Sequence, residues 1–415
     1  MRNKSAQFVW RPGAEPPRIE AHTDAKLRLL GAYLDRYFDV VCALPHMDVL
    51  RIALVDAFAG GGLYWREGSP RIGSPLVMID AVQRAVARIN SGRRKPLRIE
   101  ARFYFVDADA SAMEHLKITL AATDMPQDMR ESISLRSSTA SDALPAIVRE
   151  ISAWTRSGRS IFFLDQCGYT DVPNRDVRLI YQSLPKSEVV VTYNFGAIYD
   201  YMNDNARFLA AMAPFEFSSE HLLMLLKERR RQAGRFFAGR LLGQMLKSNI
   251  GARFASRFFL HSDAANRDMW FVHYSKVPRS RLVMSEAHWA IKNSSITQGA
   301  AGLDMLGFSP DWENQIGLDF GFEYTDEGRI HTALMADLPQ LLDQFDESSA
   351  PTFDTLLVLS ADNTAATEGQ FNKALRSLES EREIEVLTPN GGRKKLDAQL
   401  RPQHRILLPR QGKLF

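Results

Sequence analysis

Three short, almost uninterrupted apolar runs in this chain each meet an aspartate, and amphipathic stretches separate them. Arg51 to Phe58 contains Asp56 and leads into Gly60-Gly61-Gly62, Arg102 to Val106 is followed by Asp107, and Ser160 to Leu164 is followed by Asp165. A run that is apolar throughout, rather than at every second residue, marks a strand covered on both faces, as in a parallel sheet flanked by helices. Helical spacing fills the intervals at about 73–89, from Ala110 to Thr123 and from Leu144 to Ser157. Ser74 suits an N-cap there and Pro75 the first helical position. Val189 to Tyr193 repeats the strand pattern, and Ile133 to Leu135 is a weaker strand. Strands and helices alternating in this way predict an α/β fold with a Rossmann-like, doubly wound sheet, in which ligands lie at the carboxyl ends of the strands.

With 415 residues the chain exceeds one ordinary hydrophobic core, so more than one folding unit is expected. Residues 1–20, rich in Arg and Pro, read as an N-terminal arm. An amphipathic helix with Thr23 as its N-cap follows from His22 to Val41. The Rossmann-like domain is expected to span 21–295, and Met269 to Ser275 supplies a strand that returns to its sheet. A helical, basic insertion occupies about 206–258: between Leu225 and Phe258 nine Lys or Arg face one acid, Glu228. Residues 296–330 read as a linker. In 331–415, three helical stretches near 338–345, 353–359 and 367–379 precede a hairpin with an Asn390-Gly391 turn, the pattern of a winged helix-turn-helix domain. Two cysteines, Cys42 and Cys167, cannot build a disulfide framework or a thiolate metal site by themselves. No apolar run reaches the ~20 residues of a bilayer crossing, so a cytoplasmic protein without a membrane partner is expected.

The chemistry concentrates at the strand ends. In Val55-Asp56-Ala57-Phe58-Ala59-Gly60-Gly61-Gly62 the glycines let backbone approach a ligand closely. Phe58 lies within this turn, and Asp56 suits an ammonium group. A carboxylate at the end of the next strand accepts hydrogen bonds from both hydroxyls of a ribose. Asp107 is the choice for that role, with Asp109 left to cap the following helix. Asp142 serves either an adenine amine or an ordinary N-cap. S-adenosylmethionine is the cofactor that this set suits. After the strand ending at Leu164, Asp165-Gln166-Cys167-Gly168-Tyr169 is similar to the Asp-Pro-Pro-Tyr loop of amino-methyltransferases. There the acid holds an exocyclic amine and the aromatic ring stacks on the base. Asp165 and Tyr169 are therefore the candidate catalytic residues.

These residues carry a wider resemblance. Thr23-Asp24-Ala25-Lys26-Leu27 with Tyr33-Leu34, Val55 to Gly60, Gly73-Ser74-Pro75, Phe163 to Gly168 and Trp270-Phe271-Val272 resemble, in order and spacing, the three-Cys-motif partner proteins (TcmP) over about residues 20–295. The resemblance implies a class I methyltransferase domain and a dedicated protein partner. This chain has Asp165-Gln166-Cys167-Gly168 where the family pattern has Asp-Pro-Phe-Gly, which separates binding the cofactor from turning it over.

For nucleic-acid contact the candidates are Arg229, Arg230, Arg231, Arg235 and Arg240, interleaved with aromatic residues, and Lys373, Arg376, Arg393 and Lys394 in the C-terminal domain. A solvated helix face is the bland alternative, and Glu379, Glu381, Glu383 and Glu385 offset the positive charge nearby. Two functions fit: a methyltransferase acting on an amino group of a nucleic-acid base, or a catalytically silent adaptor that binds nucleic acid and recruits a partner.

Overall fold

The strands expected for the doubly wound sheet all join one mixed, mainly parallel sheet. The computed structural model describes residues 8–166, 168–230, 234–262, 267–291, 324–360, 364–393 and 400–409. It divides into two units, Met1–Ser295 and Ile296–Phe415. In the first, α1 (Ala21–Val41) precedes β1 (Val49–Asp56), the hairpin β2 (Leu63–Arg66) and β3 (Ser69–Ile72), and α2 (Ser74–Asn90). Next come β4 (Arg98–Asp107), α3 (Ala110–Ala122), α4 (Gln127–Glu131), β5 (Ile133–Ser137), α5 (Ala140–Trp154) and β6 (Ser160–Leu164). The remainder is α6 (Asn174–Ser183), β7 (Ser187–Asn194), α7 (Phe195–Asp200), α8 (Ala206–Met212), α9 (Ser219–Arg229), α10 (Gly234–Ile250), β8 (Phe254–Ser262), β9 (Arg267–Ser275) and α11 (Pro278–Ile291).

Seven strands form one sheet in the order β5-β4-β1-β6-β7-β9-β8. From β5 to β7 all pairings are parallel, whereas β9 runs antiparallel to both neighbours. Because β1 pairs with β4 on one side and β6 on the other, winding reverses at β1. That reversal opens the crevice in which doubly wound sheets bind ligands. Strand β6 is buried throughout and β7 nearly so, which accounts for their continuous apolar runs.

Local signals shift some boundaries. Glu20, not Thr23, precedes the first turn of α1, and Gly73, not Ser74, that of α2, with Pro75 at its start. The hairpin β2-β3 stands where only a loop was expected. Its two central residues, Glu67 and Gly68, have φ of 50° and 82°, a turn usually announced by Asn-Gly or Asp-Gly. The basic stretch ends in a strand: residues 254–258, expected within the helical insertion, begin β8 at the sheet edge.

One buried carboxylate ties α1 to β7, to β9 and to the start of α11. Glu188 of β7 accepts hydrogen bonds from the Tyr33 hydroxyl, from Ser280 Oγ at 2.7 Å and from His273 Nε2 at 2.8 Å. Burial first, and then the charge of Glu188, push the Tyr33 phenol well above its ordinary range, so it acts as a donor.

In the second unit, α12 (Tyr324–Leu342), α13 (Phe353–Ser360) and α14 (Glu368–Ser380) precede an antiparallel pair, β10 (Glu385–Leu387) and β11 (Arg405–Leu407). Ile330, Leu334, Leu338, Phe353, Leu356, Phe371, Leu375 and Leu378 are among its buried apolar side chains. Residues 324–330, expected in the linker, belong to α12, where Ile330 begins the buried stripe that Leu334 and Leu338 continue. The rest of that linker lies outside the described residues.

Candidate functional site at the carboxyl ends of three adjacent strands

Adjacent pairing in the order β4-β1-β6 sets Asp107, Asp56 and Asp165 at neighbouring strand ends. Asp56 is fully buried, and its Oδ1 accepts the Phe58 amide at 3.1 Å. Its Oδ2 is buried and makes no hydrogen bond of good geometry, although the Ser74 hydroxyl favours the charged form. Burial pushes the carboxyl up to about 7, against the opposing pull of Ser74 and Phe58. Phe58 is partly buried against the main core.

Asp107 joins the glycine turn to β4. Its Oδ2 accepts the Gly60 amide at 2.9 Å and its Oδ1 the Asp109 amide at 2.8 Å. The Ala59 amide, one residue earlier, donates to the Val106 carbonyl at 2.9 Å. Burial raises the Asp107 pKa, and the two amide bonds oppose that rise. Asp109 caps α3 by accepting the Ser111 amide at 2.8 Å. Asp142 is exposed within the first turn of α5, where the Thr139 hydroxyl donates to it at 2.7 Å; the cap itself is Thr139.

The three glycines meet three different constraints. Gly60 and Gly62 have φ of 57° and 81°, which side chains rarely adopt. A Cβ on Gly61 would lie 2.1 Å from Trp10 Cδ1, and one on Gly60 2.8 Å from Trp10 Cη2. One on Gly62 would meet Leu116 at 2.6 Å. The indole of Trp10, from the N-terminal arm, thus lies directly on the turn.

Asp165 is held on both oxygens. Lys26 Nζ lies 2.6 Å from Oδ1 and 2.6 Å from Oδ2, and Thr192 Oγ1 donates to Oδ1 at 2.8 Å. Lys26, from α1, is itself buried. Gln166 is fully buried and shapes the loop after β6: its Oε1 accepts the amides of Asp171 and Val172 at 2.9 and 3.2 Å. Tyr169 is half-buried and stacks on Phe215, ring centres 6.4 Å apart and planes within 13°; Phe215 stacks in turn on Phe217. Cys167 lies outside the described residues.

Some solved structures are similar to this chain. Several are methyltransferases. A Legionella pneumophila protein of family DUF519 matches with a TM-score of 0.34 and 12% identity over 61% of this chain and 86% of its own. The plantazolicin methyltransferase BamL, solved with SAH, matches at 0.26 and 11% over 61% and 86%. The methyltransferase domain of bacterial CtHen1 matches at 0.25 and 13% over 59% and 98%. At such scores and identities these likenesses carry no argument about activity. No family model matches the chain, and no curated protein does.

The basic candidates are dispersed in role. Arg229 closes the end of α9, donating to the Met202 and Asp200 carbonyls and lying over the Tyr199 ring. Arg230 is exposed and Arg240 half-buried. Arg231 and the side chain of Arg235 lie outside the described residues, as does Lys394. Lys373 and Arg376 are exposed on α14, and Arg393 is exposed with its Nε 2.8 Å from Glu385. Among the described residues no cluster of side chains could hold a metal ion, and no helix is long and apolar enough to cross a membrane.

Reading by sequence missed two participants. Trp10 sits in an aperiodic arm that gives no positional signal. Lys26 did carry one: with Leu30, Tyr33 and Tyr37 it occupies the buried stripe of α1, where a lysine needs a partner.

Proposed function

We propose that the first unit is an S-adenosylmethionine-binding methyltransferase domain. The observation that carries this reading is the meeting of the glycine turn with the carboxylates of β1 and β4 at the winding reversal, where Gly60 is bonded to Asp107. Asp107 retains lone pairs for ribose hydroxyls, and the unpartnered Oδ2 of Asp56 suits the ammonium group of the amino-acid portion. Gly60 to Gly62 supply backbone without side chains between them, Phe58 borders the turn, and Asp142 stands at the start of α5 for the adenine amine. The bound cofactor supplies an electrophilic methyl group; the protein's part is to hold it and to exclude water.

The acceptor we propose is a nucleic acid, met at the loop Asp165 to Tyr169. Half-buried Tyr169, in line with Phe215 and Phe217, supports stacking of a planar group there. Exposed Arg230, together with Arg231, Arg235 and Arg240, would follow its backbone. The second unit, with three helices and a two-stranded sheet, supports a winged-helix reading in which Lys373, Arg376, Arg393 and Lys394 face phosphates. The resemblance to the three-Cys-motif partner proteins adds a dedicated protein partner.

A second reading, the catalytically silent adaptor, draws support from Asp165. Both its oxygens engage Lys26, which competes with any acceptor amine for them. Calorimetry with S-adenosylmethionine on the wild type and on Asp107→Ala tests the cofactor reading: the wild type binds and the variant binds at least tenfold more weakly. Absence of binding to folded wild type overturns it. Given binding, labelled methyl transfer to RNA and DNA that is lost in Asp165→Ala separates enzyme from adaptor.

A further inference from the structure

The N-terminal arm lies on the turn that the proposed function assigns to the cofactor. The Trp10 indole rests on Gly60 and Gly61 so closely that neither position has room for a Cβ. Its Nε1 donates to the Leu63 carbonyl at 2.7 Å, and its own carbonyl accepts Ser111 Oγ at 2.6 Å at the start of α3. The arm therefore bridges the glycine turn and the helix that follows Asp107. Phe8 and Tyr64 pack around the indole, with ring centres 5.8 Å and 5.4 Å from it. Farther along, the Trp65 amide donates to the Pro17 carbonyl at 2.9 Å and the Ile19 amide to the Trp65 carbonyl at 3.0 Å, hinging the arm on β2.

We infer that residues 8–16 are a built-in gate: the Trp10 indole occupies the face of the glycine turn that the adenosyl cofactor needs, so cofactor and indole exclude one another. This rests on the cofactor reading above. Three features fit a reversible contact. The indole N–H bonds to a backbone carbonyl, leaving no catalytic side chain altered when it departs. The anchor at Pro17 and Ile19 lies beyond the gate, so residues 8–16 can lift while 17–19 remain paired. The second tether, from Ser111 Oγ to the Trp10 carbonyl at 2.6 Å, is likewise a single hydrogen bond that water can replace. A ligand that binds only the open form sees its affinity reduced by the open fraction. An arm closed nine-tenths of the time therefore weakens binding about tenfold.

The test uses the full chain with S-adenosylhomocysteine as the probe. Hydrogen exchange of residues 8–16 in the wild type is expected to speed up when the probe is added, because the arm is displaced. By calorimetry, Trp10→Ala is expected to bind the probe about tenfold more tightly than wild type, and Ser111→Ala, which removes one tether, to shift in the same direction by less. Slower or unchanged exchange of the arm overturns the gate, as does weaker or equal binding by folded Trp10→Ala; either leaves the cofactor reading standing. No binding by the wild type or by either variant overturns both. The exchange measurement needs no substitution, so it decides the matter even where Trp10→Ala fails to fold.

Discussion

Replacing Asp56 by Asn should change how stability depends on pH. In the folded protein burial holds this carboxyl up to about 7, whereas in the unfolded chain it titrates near 3.8. Between those values the folded state binds the extra proton, so stability falls as pH rises from about 4 to 7 and the loss is complete above 7. The interval from 3.8 to about 7, at ~1.4 kcal/mol per pH unit, amounts to about 4 kcal/mol. Asparagine can keep the Phe58 bond without titrating, so Asp56→Asn should lack this slope. His288 contributes in the opposite sense. Burial, and then His273, hold its pKa well below the ordinary value, which costs stability as pH falls through about 6.5. That term is common to both proteins and cancels in their difference. The assay is urea unfolding at pH 4, 5, 6, 7 and 8, followed by tryptophan fluorescence. Five of the six tryptophans (Trp10, Trp65, Trp154, Trp270 and Trp289) lie in the first unit, so the signal reports the unit that contains Asp56. The stability of Asp56→Asn relative to wild type should climb by about 4 kcal/mol from pH 4 to pH 8, levelling off above pH 7. Profiles that stay parallel to within about 1 kcal/mol would refute the claim that burial of Asp56 outweighs its bonds to Phe58 and Ser74.

Two further substitutions probe the scaffold on either side of the chain. Lys26→Met strands Asp165 beside Thr192 with no cation at 2.6 Å and should cost about 3 kcal/mol in urea unfolding, with partial recovery in the Lys26→Met/Asp165→Asn double variant. A loss below about 1 kcal/mol, or no recovery, would show that the pair behaves as a solvent-screened surface bridge. In the second unit, Thr367→Ala removes the reciprocal bonds of a capping box, Thr367 with the Gln370 amide and Gln370 with the Thr367 amide. It should cost that unit about 1 kcal/mol by thermal unfolding, and an unchanged transition would contradict the role of the cap in holding α14.

The parts of this fold legible in the sequence are those where one local rule acts alone. Strand β6 is buried at every position and apolar from Ile161 to Leu164 because both faces are covered, and so short a run between helical stretches suits a central strand. Asp109 announces a cap because its oxygen reaches an amide two residues on. Where two rules compete, sequence reading fails. Thr23 is a good cap residue, yet α1 begins earlier because the chain arriving at Glu20 is held by the pairing of Ile19 with Trp65, a contact across more than forty residues. The β2-β3 turn needs positive φ at Glu67, which a tertiary setting imposes against the preference of the residue.

The glycine triplet is the sharpest case of this competition. By local rules Gly60, Gly61 and Gly62 read as a cradle for a ligand, and two of the three do adopt positive φ. The third, Gly61, is required by something sequence proximity does not reveal: an indole fifty-one positions upstream. The same applies to Asp165, which looked free to hold an acceptor because Lys26 stands so far away in sequence. A surface whose missing side chains are matched by an aromatic ring of its own chain is preorganised for a flat partner. A site built that way can take a second flat ligand only by giving up the first. On the gate proposed above, binding at this turn is a competition within the molecule, and the affinity measured for an adenosyl compound reports the stability of the arm as much as the quality of the site.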